Sequence, residues 1–299
     1  MTSRQSTNHL MLMQPVRFYA NPETMETNTY QHDNPADIAP LQQAAEAEFL
    51  TLRDRLVSHG VIVTTTLGNA RCPDDIFCNN WVSTHEDNKM VLYQMLCENR
   101  RLERRPDIMA LLEKTYDVAL DLSHYEAQDR PLESTGSLCI DRINKVVYSS
   151  ISQRTDKALA EEWCQKMGYE FVPFDTLNHA GKPVYHTDVM LYIGTGYAGI
   201  CADAIVEKDR ERVLEKLSRT HEIILLSKEQ LRSFCGNSLE VRGTDDKKYL
   251  ALSTAAFNAL REDQKAQLRK YVEGFIHSDI KTIEEYGGGS VRCMLLELH

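Results

Sequence analysis

Four short stretches of the sequence contain polar side chains that an ordinary buried strand would not contain. They are PDDIFCNNW (73–81), LESTGSL (132–138), VYHTD (184–188) and GGGSVRC (287–293). Together they supply the thiol of Cys293, the imidazole of His186 and the carboxylate of Glu133. A thiol becomes a nucleophile when a nearby base or cation lowers its pKa, and a carboxylate beside an imidazole fixes its orientation and stabilises its protonated form. These residue types are suited to attack by sulfur with acid–base assistance.

Each of these residues also has an ordinary structural interpretation. A cysteine in a terminal strand usually packs in a core, and His186 follows two apolar residues, as a half-buried histidine often does. Glu133 could be a surface charge at the start of a strand, and Asp74 follows a proline, which suits a turn. Taken singly, none of these residues establishes a function.

The elements between these stretches repeat along the chain. Residues 37–59 place apolar side chains at helical spacing and stop at Gly60, and the β-branched run VIVTTTL that follows predicts a strand. A unit of one helix and about three strands recurs five times, about every 50 residues, which is typical of a closed or stacked repeat array. The other predicted helices cover 107–119, 157–168, 209–218 and 262–275, and predicted strands include 76–84 and 279–285. No linker divides the repeats.

We therefore predict an α/β fold in a single closed, propeller-like domain over residues 1–299, with residues 1–10 flexible. The repeat places Asn80, Gly136, Asp188 and Cys293 near corresponding strand pairs. In a ring of repeats these positions would converge near the central axis, where a site could form from residues distant in sequence.

Composition limits the classes of partner. The net charge of −10 argues against nucleic acid or an anionic membrane as the main partner. The sequence has no apolar run long enough for a membrane span, and the N-terminal segment lacks the apolar region of a signal peptide, so we expect a cytoplasmic protein. The acidic exterior is compatible with a homodimer.

The eight cysteines form no CxxC pair, which indicates free thiols in a reducing compartment. We interpret those other than Cys293, including Cys78, as packing residues. Cys72 and Cys78 lack a second pair of Cys or His that would complete a zinc site, so we expect neither a metal nor a cofactor.

Taken together, the motifs resemble those of the guanidino-group-modifying enzymes, the pentein superfamily. This superfamily includes arginine deiminase, dimethylarginine dimethylaminohydrolase, agmatine deiminase and the arginine and succinylarginine dihydrolases. FxxNP, PDxxFxNNW, ESTGSL, VYHT and GGGSxRC are similar in particular to the arginine-deiminase-related branch of citrulline-utilisation hydrolases. The resemblance extends from RFYANPET to GGGSVRC, nearly the whole chain, and it implies a five-bladed α/β propeller of ββαβ-type repeats.

The resemblance also implies a role for each catalytic candidate. Cys293 would be the nucleophile, His186 the general acid and base, and Glu133 the carboxylate paired with the histidine. The thiolate would attack the central carbon of a guanidinium or ureido group, and His186 would protonate the departing ammonia. A water deprotonated by the same histidine would then release the product, while the glycines at 287–289 allow close approach to the sulfur.

Further residues would bind the substrate if the resemblance holds. SISQRTD resembles the S-x-R-T-N motif of the dimethylarginine enzymes, which would make Arg154 a ligand of the substrate carboxylate, and ENRRLER would give Arg100 the same role, with Arg101 as the alternative. Asn21 resembles a substrate-lining asparagine of the dihydrolases. Asp188 matches the H-x-D motif of arginine deiminase, where the aspartate holds the guanidinium, and Asp74 belongs to the same expected substrate site.

Asn80 departs from the deiminase pattern, in which an acidic residue at this position pairs with the guanidinium. A neutral amide both donates and accepts hydrogen bonds, so a neutral ureido group could remain bound. The dihydrolases, which hydrolyse the citrulline-like intermediate a second time, are similar to this chain in having asparagine here.

The sequence thus predicts a metal-free cysteine hydrolase of C–N bonds in a guanidino or ureido amino acid, with arginine or citrulline as substrate and ammonia as product. Three alternatives stay open. The first is a single-step deiminase that stops at citrulline, and the second is an amidinotransferase. The third is a pentein-fold protein that binds such a ligand without turnover.

Overall fold

Short strands alternate with helices along the chain in the computed structural model, which describes residues 3–299. The strands are β1 His9–Gln14, β2 Ile62–Leu67, β3 Val82–His85, β4 Lys89–Leu92, β5 Asp117–Asp121, β6 Cys139–Asp141, β7 Val146–Ser150, β8 Glu170–Phe174, β9 Leu191–Ile193, β10 Tyr197–Ile200, β11 Glu222–Leu225, β12 Leu239–Arg242, β13 Lys248–Ser253, β14 Gly274–Ser278 and β15 Leu296–Glu297. The α-helices are α1 Ala39–Ser58, α2 Glu98–Arg101, α3 Pro106–Leu112, α4 Ser134–Ser137, α5 Lys157–Met167, α6 Glu207–Ser218, α7 Lys228–Arg232, α8 Thr254–Ala259 and α9 Glu262–Leu268.

These strands form five three-stranded sheets that follow one pattern. The sheets are β15-β1-β2, β3-β4-β5, β6-β7-β8, β9-β10-β11 and β12-β13-β14. In each sheet the middle strand pairs antiparallel with the first strand and parallel with the third. A helical crossover joins each parallel pair, as parallel pairing requires. The predicted α/β class is confirmed, and the last strand completes the sheet that the first strand begins.

Helix α1 shows how the local sequence builds one unit. Its buried residues recur every three or four positions and so form one apolar face, which packs against β14 and β2; they are Leu41, Ala45, Phe49, Leu52 and Leu56. A proline lies in its first turn, where a missing N–H has no cost. Gly60 follows the helix with a φ of +82°, a left-handed conformation that glycine adopts without strain.

Several predicted boundaries were wrong because the edge strands carry a weak pattern. The helix predicted over 107–119 ends at Leu112 and gives way to β5, which is mostly exposed and therefore lacks the alternation that marks a strand. The helix predicted over 262–275 likewise ends at Leu268, before β14. The strand predicted over 279–285 was also wrong, since a π-helix occupies Ile283–Gly287. In 76–84, only β3 is a strand.

The expected flexible segment 1–10 begins with two residues outside the described part of the chain. Its last two residues, His9 and Leu10, belong to β1, which pairs with both β2 and β15. Across residues 3–299, no helix is long and apolar enough to cross a lipid bilayer.

Candidate active site

The predicted catalytic residues occupy equivalent places in different repeats, in the short turns just before the first strand of a sheet. Asn80 ends a 3₁₀ turn before β3, Glu133 precedes the turn before β6, and His186 precedes the turn before β9. Cys293 lies in the 3₁₀ turn Val291–Met294 before β15. Asn237 stands two residues before β12 and contributes the fifth such position. Equivalent positions in the repeats therefore bring together residues that are far apart in sequence.

A single buried cavity contains most of the predicted residues. It is lined by Asn28, Asp74, Phe77, Asn80, Arg100, Arg154, Tyr185, His186, Gly287, Gly289 and Cys293. Glu133, Asp188 and Asn21 do not line this cavity, and each contacts a residue at or near it instead. The predicted site residues are thus brought into one cluster.

The imidazole of His186 is bonded to the Glu133 carboxylate. The Nε2–Oε2 distance is 2.6 Å, and both side chains are buried. Burial raises the pKa of Glu133, but Arg154, the His186 hydrogen bond and Arg100 outweigh it and lower that pKa to about 2. Burial lowers the pKa of His186, and Glu133 only partly opposes this. The pair therefore consists of an ionised carboxylate and an imidazole that is neutral near pH 7.

Cys293 is buried between two polar side chains. The amide Nδ2 of Asn237 lies 3.2 Å from the sulfur, and the Cys293 thiol lies 3.5 Å from Oδ2 of Asp188. Burial and the Asp188 carboxylate raise the pKa of the thiol well above its usual range. Burial and this carboxylate therefore favour the protonated thiol, and a cation bound near Asp188 would lower the pKa of that thiol.

Three polar atoms of this cluster are buried and have no hydrogen-bond partner within residues 3–299: Oδ1 of Asp74, Nδ2 of Asn80 and Oδ1 of Asp188. The Oδ1 of Asn80 accepts a hydrogen bond of 3.0 Å from Arg100, so Nδ2 is the free donor of this amide. Unpartnered buried polar atoms are costly and call for an explanation. A ligand with both donors and an acceptor would satisfy all three atoms.

The predicted carboxylate ligands lie at the site with most of their donors already engaged. Arg100 binds Glu103 through Nε at 2.6 Å and also donates to Asn80, an arrangement that favours a positioning role. Nε and Nη2 of Arg154 donate to the hydroxyl of Thr27. The alternative, Arg101, lies outside the cavity and donates to backbone carbonyls.

Asn21 supports Asp74 and does not face the cavity. Its Nδ2 donates to Oδ2 of Asp74 at 2.9 Å, and its side chain also exchanges hydrogen bonds with Asn99. This contact fixes the orientation of the Asp74 carboxylate, whose other oxygen is unpartnered.

Arg154 and Tyr185 also line a second pocket that adjoins the cavity. Its other lining residues include Thr27, Gln153 and Lys182. This outer pocket has the cations Arg154 and Lys182 and the carboxylate of Glu26 in its lining, and it offers room for the part of a ligand that extends away from the sulfur.

Sequence reasoning missed two asparagines that hold the nucleophile and its loop. Asn237 contacts Cys293, and its position just before β12 in the fifth repeat is the signal that could have identified it. Asn28 donates to the carbonyl of Gly288 at 3.1 Å, and the Tyr185 hydroxyl donates to the same carbonyl at 2.6 Å. Gly288 has a φ of +65° and a Cβ there would collide with Asn28, so glycine is required.

Gly136 separates the Asn80 amide from the His186 ring. In Gly136→Ala the new Cβ would collide with Nδ2 of Asn80 and lie 2.9 Å from Nδ1 of His186. We expect a loss of about 10²-fold in kcat/KM, because small displacements of reacting groups have effects of this size. The free energy of unfolding should fall by about 1–3 kcal/mol through overpacking.

Gly274→Ala is the matched control, since a Cβ there meets Tyr249 only at 3.9 Å, an ordinary contact. Kinetics and chemical denaturation of both variants test the prediction. Full activity in Gly136→Ala would show that Asn80 and His186 need not occupy these positions.

The fold is shared with several known guanidino-modifying enzymes. The N-terminal domain of ArgZ bound to product, an arginine dihydrolase from the ornithine–ammonia cycle in cyanobacteria, superposes with a TM-score of 0.78 at 16% identity, with 97% of each chain covered. A variant of AgrE with L-arginine gives 0.78 at 16% identity over 97% of this chain and 40% of that one. A variant of dimethylarginine dimethylaminohydrolase, as an adduct with S-methyl-L-thiocitrulline, gives 0.62 at 16% identity, covering 97% and 99%. No curated protein sequence matches the chain.

Residues 14–299 match the family described as N,N dimethylarginine dimethylhydrolase, eukaryotic, and the chain belongs to that family. The predicted membership of the pentein superfamily is confirmed. The chain is thus a member of a family of guanidino-modifying hydrolases.

Proposed function

We propose that the chain is a cysteine-dependent hydrolase of the C–N bonds of arginine or citrulline, with Cys293 as nucleophile. The observation that carries this proposal is the single buried cluster of a thiol, a carboxylate-bound imidazole and three unpartnered polar atoms. We further propose that the five sheets are the five blades of a propeller with this cavity near its axis.

The protonation states support a sequence of steps. A guanidinium near Asp188 lowers the pKa of the Cys293 thiol, and neutral His186 accepts the thiol proton. The sulfur adds to the guanidinium carbon, and His186 returns the proton to the nitrogen that leaves as ammonia. A water that gives its proton to His186 then attacks the same carbon, and the carbon–sulfur bond breaks to release citrulline and the thiolate.

The unpartnered atoms favour a site that accepts both the guanidinium and its ureido product. Asp74 and Asp188 present carboxylate oxygens, which suit the N–H groups of either. Nδ2 of Asn80 is a hydrogen-bond donor. A guanidinium offers no acceptor for it, whereas the oxygen of a ureido group is an acceptor. A second round of the same steps on citrulline releases a second ammonia and, after attack by a second water, the carbamate of ornithine, which loses carbon dioxide to give ornithine.

A product assay tests this proposal directly. L-arginine and L-citrulline are offered separately, and ammonia, citrulline and ornithine are quantified. Ornithine from both substrates, with two ammonia per arginine, is the expected result. Citrulline and one ammonia would identify a single-step deiminase, and binding measured by calorimetry without any product would identify a protein that only binds.

The family match favours one further substrate, N,N-dimethylarginine, whose hydrolysis gives citrulline and dimethylamine. The same assay with N,N-dimethylarginine distinguishes this substrate from arginine and citrulline, since dimethylamine forms only from the methylated nitrogen. A kcat/KM for dimethylarginine above that for arginine and citrulline would replace our assignment of the substrate.

Asn80→Asp tests the argument from the free amide donor. The substitution replaces that donor with an acceptor beside Arg100 and so favours the cationic guanidinium over the neutral ureido group. We expect the variant to accumulate citrulline from arginine, with the rate of ornithine formation from citrulline reduced by at least about tenfold.

Asn79→Asp is the control, because this neighbouring amide donates to Asp188 and does not line the cavity. It should lower overall activity without a selective loss of the second step. Unchanged product ratios in Asn80→Asp would show that the amide does not select the ureido group.

A further inference from the structure

A further pocket, different from the outer pocket described above and open to solvent, lies apart from the active-site cavity and shares no lining residue with it. It is lined by Thr29, Tyr30, His32, His179, Arg232, Ser233, Phe234, Ala255, Lys281, Glu284 and Glu285. We call it the basic pocket. Its walls are residues 29–32, the end of α7 and residues 281–285, and none of these residues takes part in the proposed chemistry.

Two cations of the basic pocket have no acidic partner among residues 3–299. Within the described part of the chain, neither Arg232 nor Lys281 has a carboxylate within salt-bridge distance, although the protein as a whole carries a net charge of −10. His32 and His179 add two imidazoles at the same pocket. Unpaired cations that converge on one concave surface are suited to binding an anion.

The acidic residues of the basic pocket offset this charge only in part. Glu285 lies 3.4 Å from the ring of His32. Glu284 is buried and accepts a hydrogen bond of 2.6 Å from Ser290. Burial is the main cause that raises the pKa of Glu284, to about 7, so this side chain carries only part of a negative charge.

The aromatic side chain of Tyr30 forms part of the wall of the basic pocket. Tyr30 is 8% exposed and lines the basic pocket, and its hydroxyl has no hydrogen-bond partner within residues 3–299. Its ring packs against the rings of Phe234 and His179, with a centroid–centroid distance of 5.3 Å to each, and these contacts fix its orientation.

We propose that the basic pocket is a binding site for a small multivalent oxyanion, a phosphate or a polycarboxylate, held by Arg232 and Lys281. The site is separate from the active site and does not depend on the proposed function. Two chain segments reach both sites, since Asn28 of the active-site cavity precedes residue 29 and Gly287 lies two residues after residue 285.

Calorimetric titration of the full chain with pyrophosphate and with citrate tests this site. We expect binding of at least one probe, which weakens as NaCl concentration rises. The double variant Arg232→Ala/Lys281→Ala should bind that probe at least about tenfold more weakly, because it removes both unpaired cations. Arg219→Ala/Lys208→Ala removes the same charge from exposed positions elsewhere and should leave the affinity unchanged.

Arg154→Ala separates the two sites, since Arg154 lines the active-site cavity but not the basic pocket. Unchanged affinity in this variant supports the assignment. Loss of binding in Arg154→Ala with full affinity in Arg232→Ala/Lys281→Ala would place the anion in the active site and overturn the proposal. The absence of binding of either probe at millimolar concentration would overturn it as well.

Discussion

Cys293→Ala is expected to lower the turnover of arginine or citrulline by at least about 10⁴-fold, because removal of a nucleophile leaves only the residual effects of binding and positioning. The alanine leaves Asp74 and Asn80 in the lining of the cavity, with their unpartnered atoms available to the ligand, and Asp188 beside it. Substrate binding should therefore persist, and calorimetry should give a dissociation constant within about tenfold of the KM of the unsubstituted protein.

The measurement is ammonia release under single-turnover and steady-state conditions, combined with mass spectrometry of the protein. A covalent adduct on Cys293 is expected during turnover of the unsubstituted chain. Cys78→Ala is the matched control, because Cys78 is a buried thiol that contacts backbone carbonyls of Met11 and Met294 and does not line the cavity. This variant should keep its activity, and substantial turnover by Cys293→Ala would exclude sulfur as the nucleophile.

The repeat explains why much of this site could be predicted without coordinates. Helix–strand periodicity predicted similar units; Asn80 and Cys293 lie in the turns before the first strand of a sheet, and Glu133 and His186 directly precede such turns. A residue near one of these turns is therefore close to the others, whatever its distance in sequence. The same rule would have identified Asn237 before β12, had polar residues been sought at the fifth position.

The contacts of the arginines could not be obtained from the motifs alone. ENRRLER predicted a carboxylate ligand at Arg100, yet Glu103, three residues later, takes two of its donors in a buried ion pair. That competition depends on α2 bringing i and i+3 side chains together beside the cavity. Edge strands were difficult for another reason, since β5 exposes most of its residues and so gives little periodic signal.

The charge of Glu133 has consequences beyond the hydrogen bond to His186. The carboxylate also accepts a hydrogen bond of 3.0 Å from the backbone N–H of Leu96 and lies 3.7 Å from Arg154. Two buried arginines and an imidazole thus surround one negative charge. Replacement by a neutral group of the same shape isolates the effect of this charge from the effect of packing.

Glu133→Gln is therefore expected to lower kcat by about 10²–10⁴-fold, because the imidazolium that protonates the leaving ammonia loses its counter-charge. The Glu133 carboxylate raises the pKa of His186 against the effect of burial, so its loss should lower that pKa further. The acidic limb of the kcat/KM profile, which reports loss of neutral His186, should move to lower pH. Steady-state kinetics across the pH range measure both effects.

Stability measurements show that the altered profile is not caused by unfolding. The folded pKa of Glu133 is about 2, below the value of about 4.3 for an unfolded glutamate. The contribution of this carboxylate to the free energy of unfolding is therefore complete above the unfolded pKa of about 4.3 and is lost as pH falls towards 2. Between pH 6 and 9 the stability deficit of Glu133→Gln, measured by denaturant titration, should stay constant.

Glu103→Gln is the control for the pH profile. It removes a buried partner of Arg100 that makes no contact with His186, so it should leave the acidic limb in place. The same displacement of that limb in both variants would mean that the Glu133 charge does not act directly on the histidine.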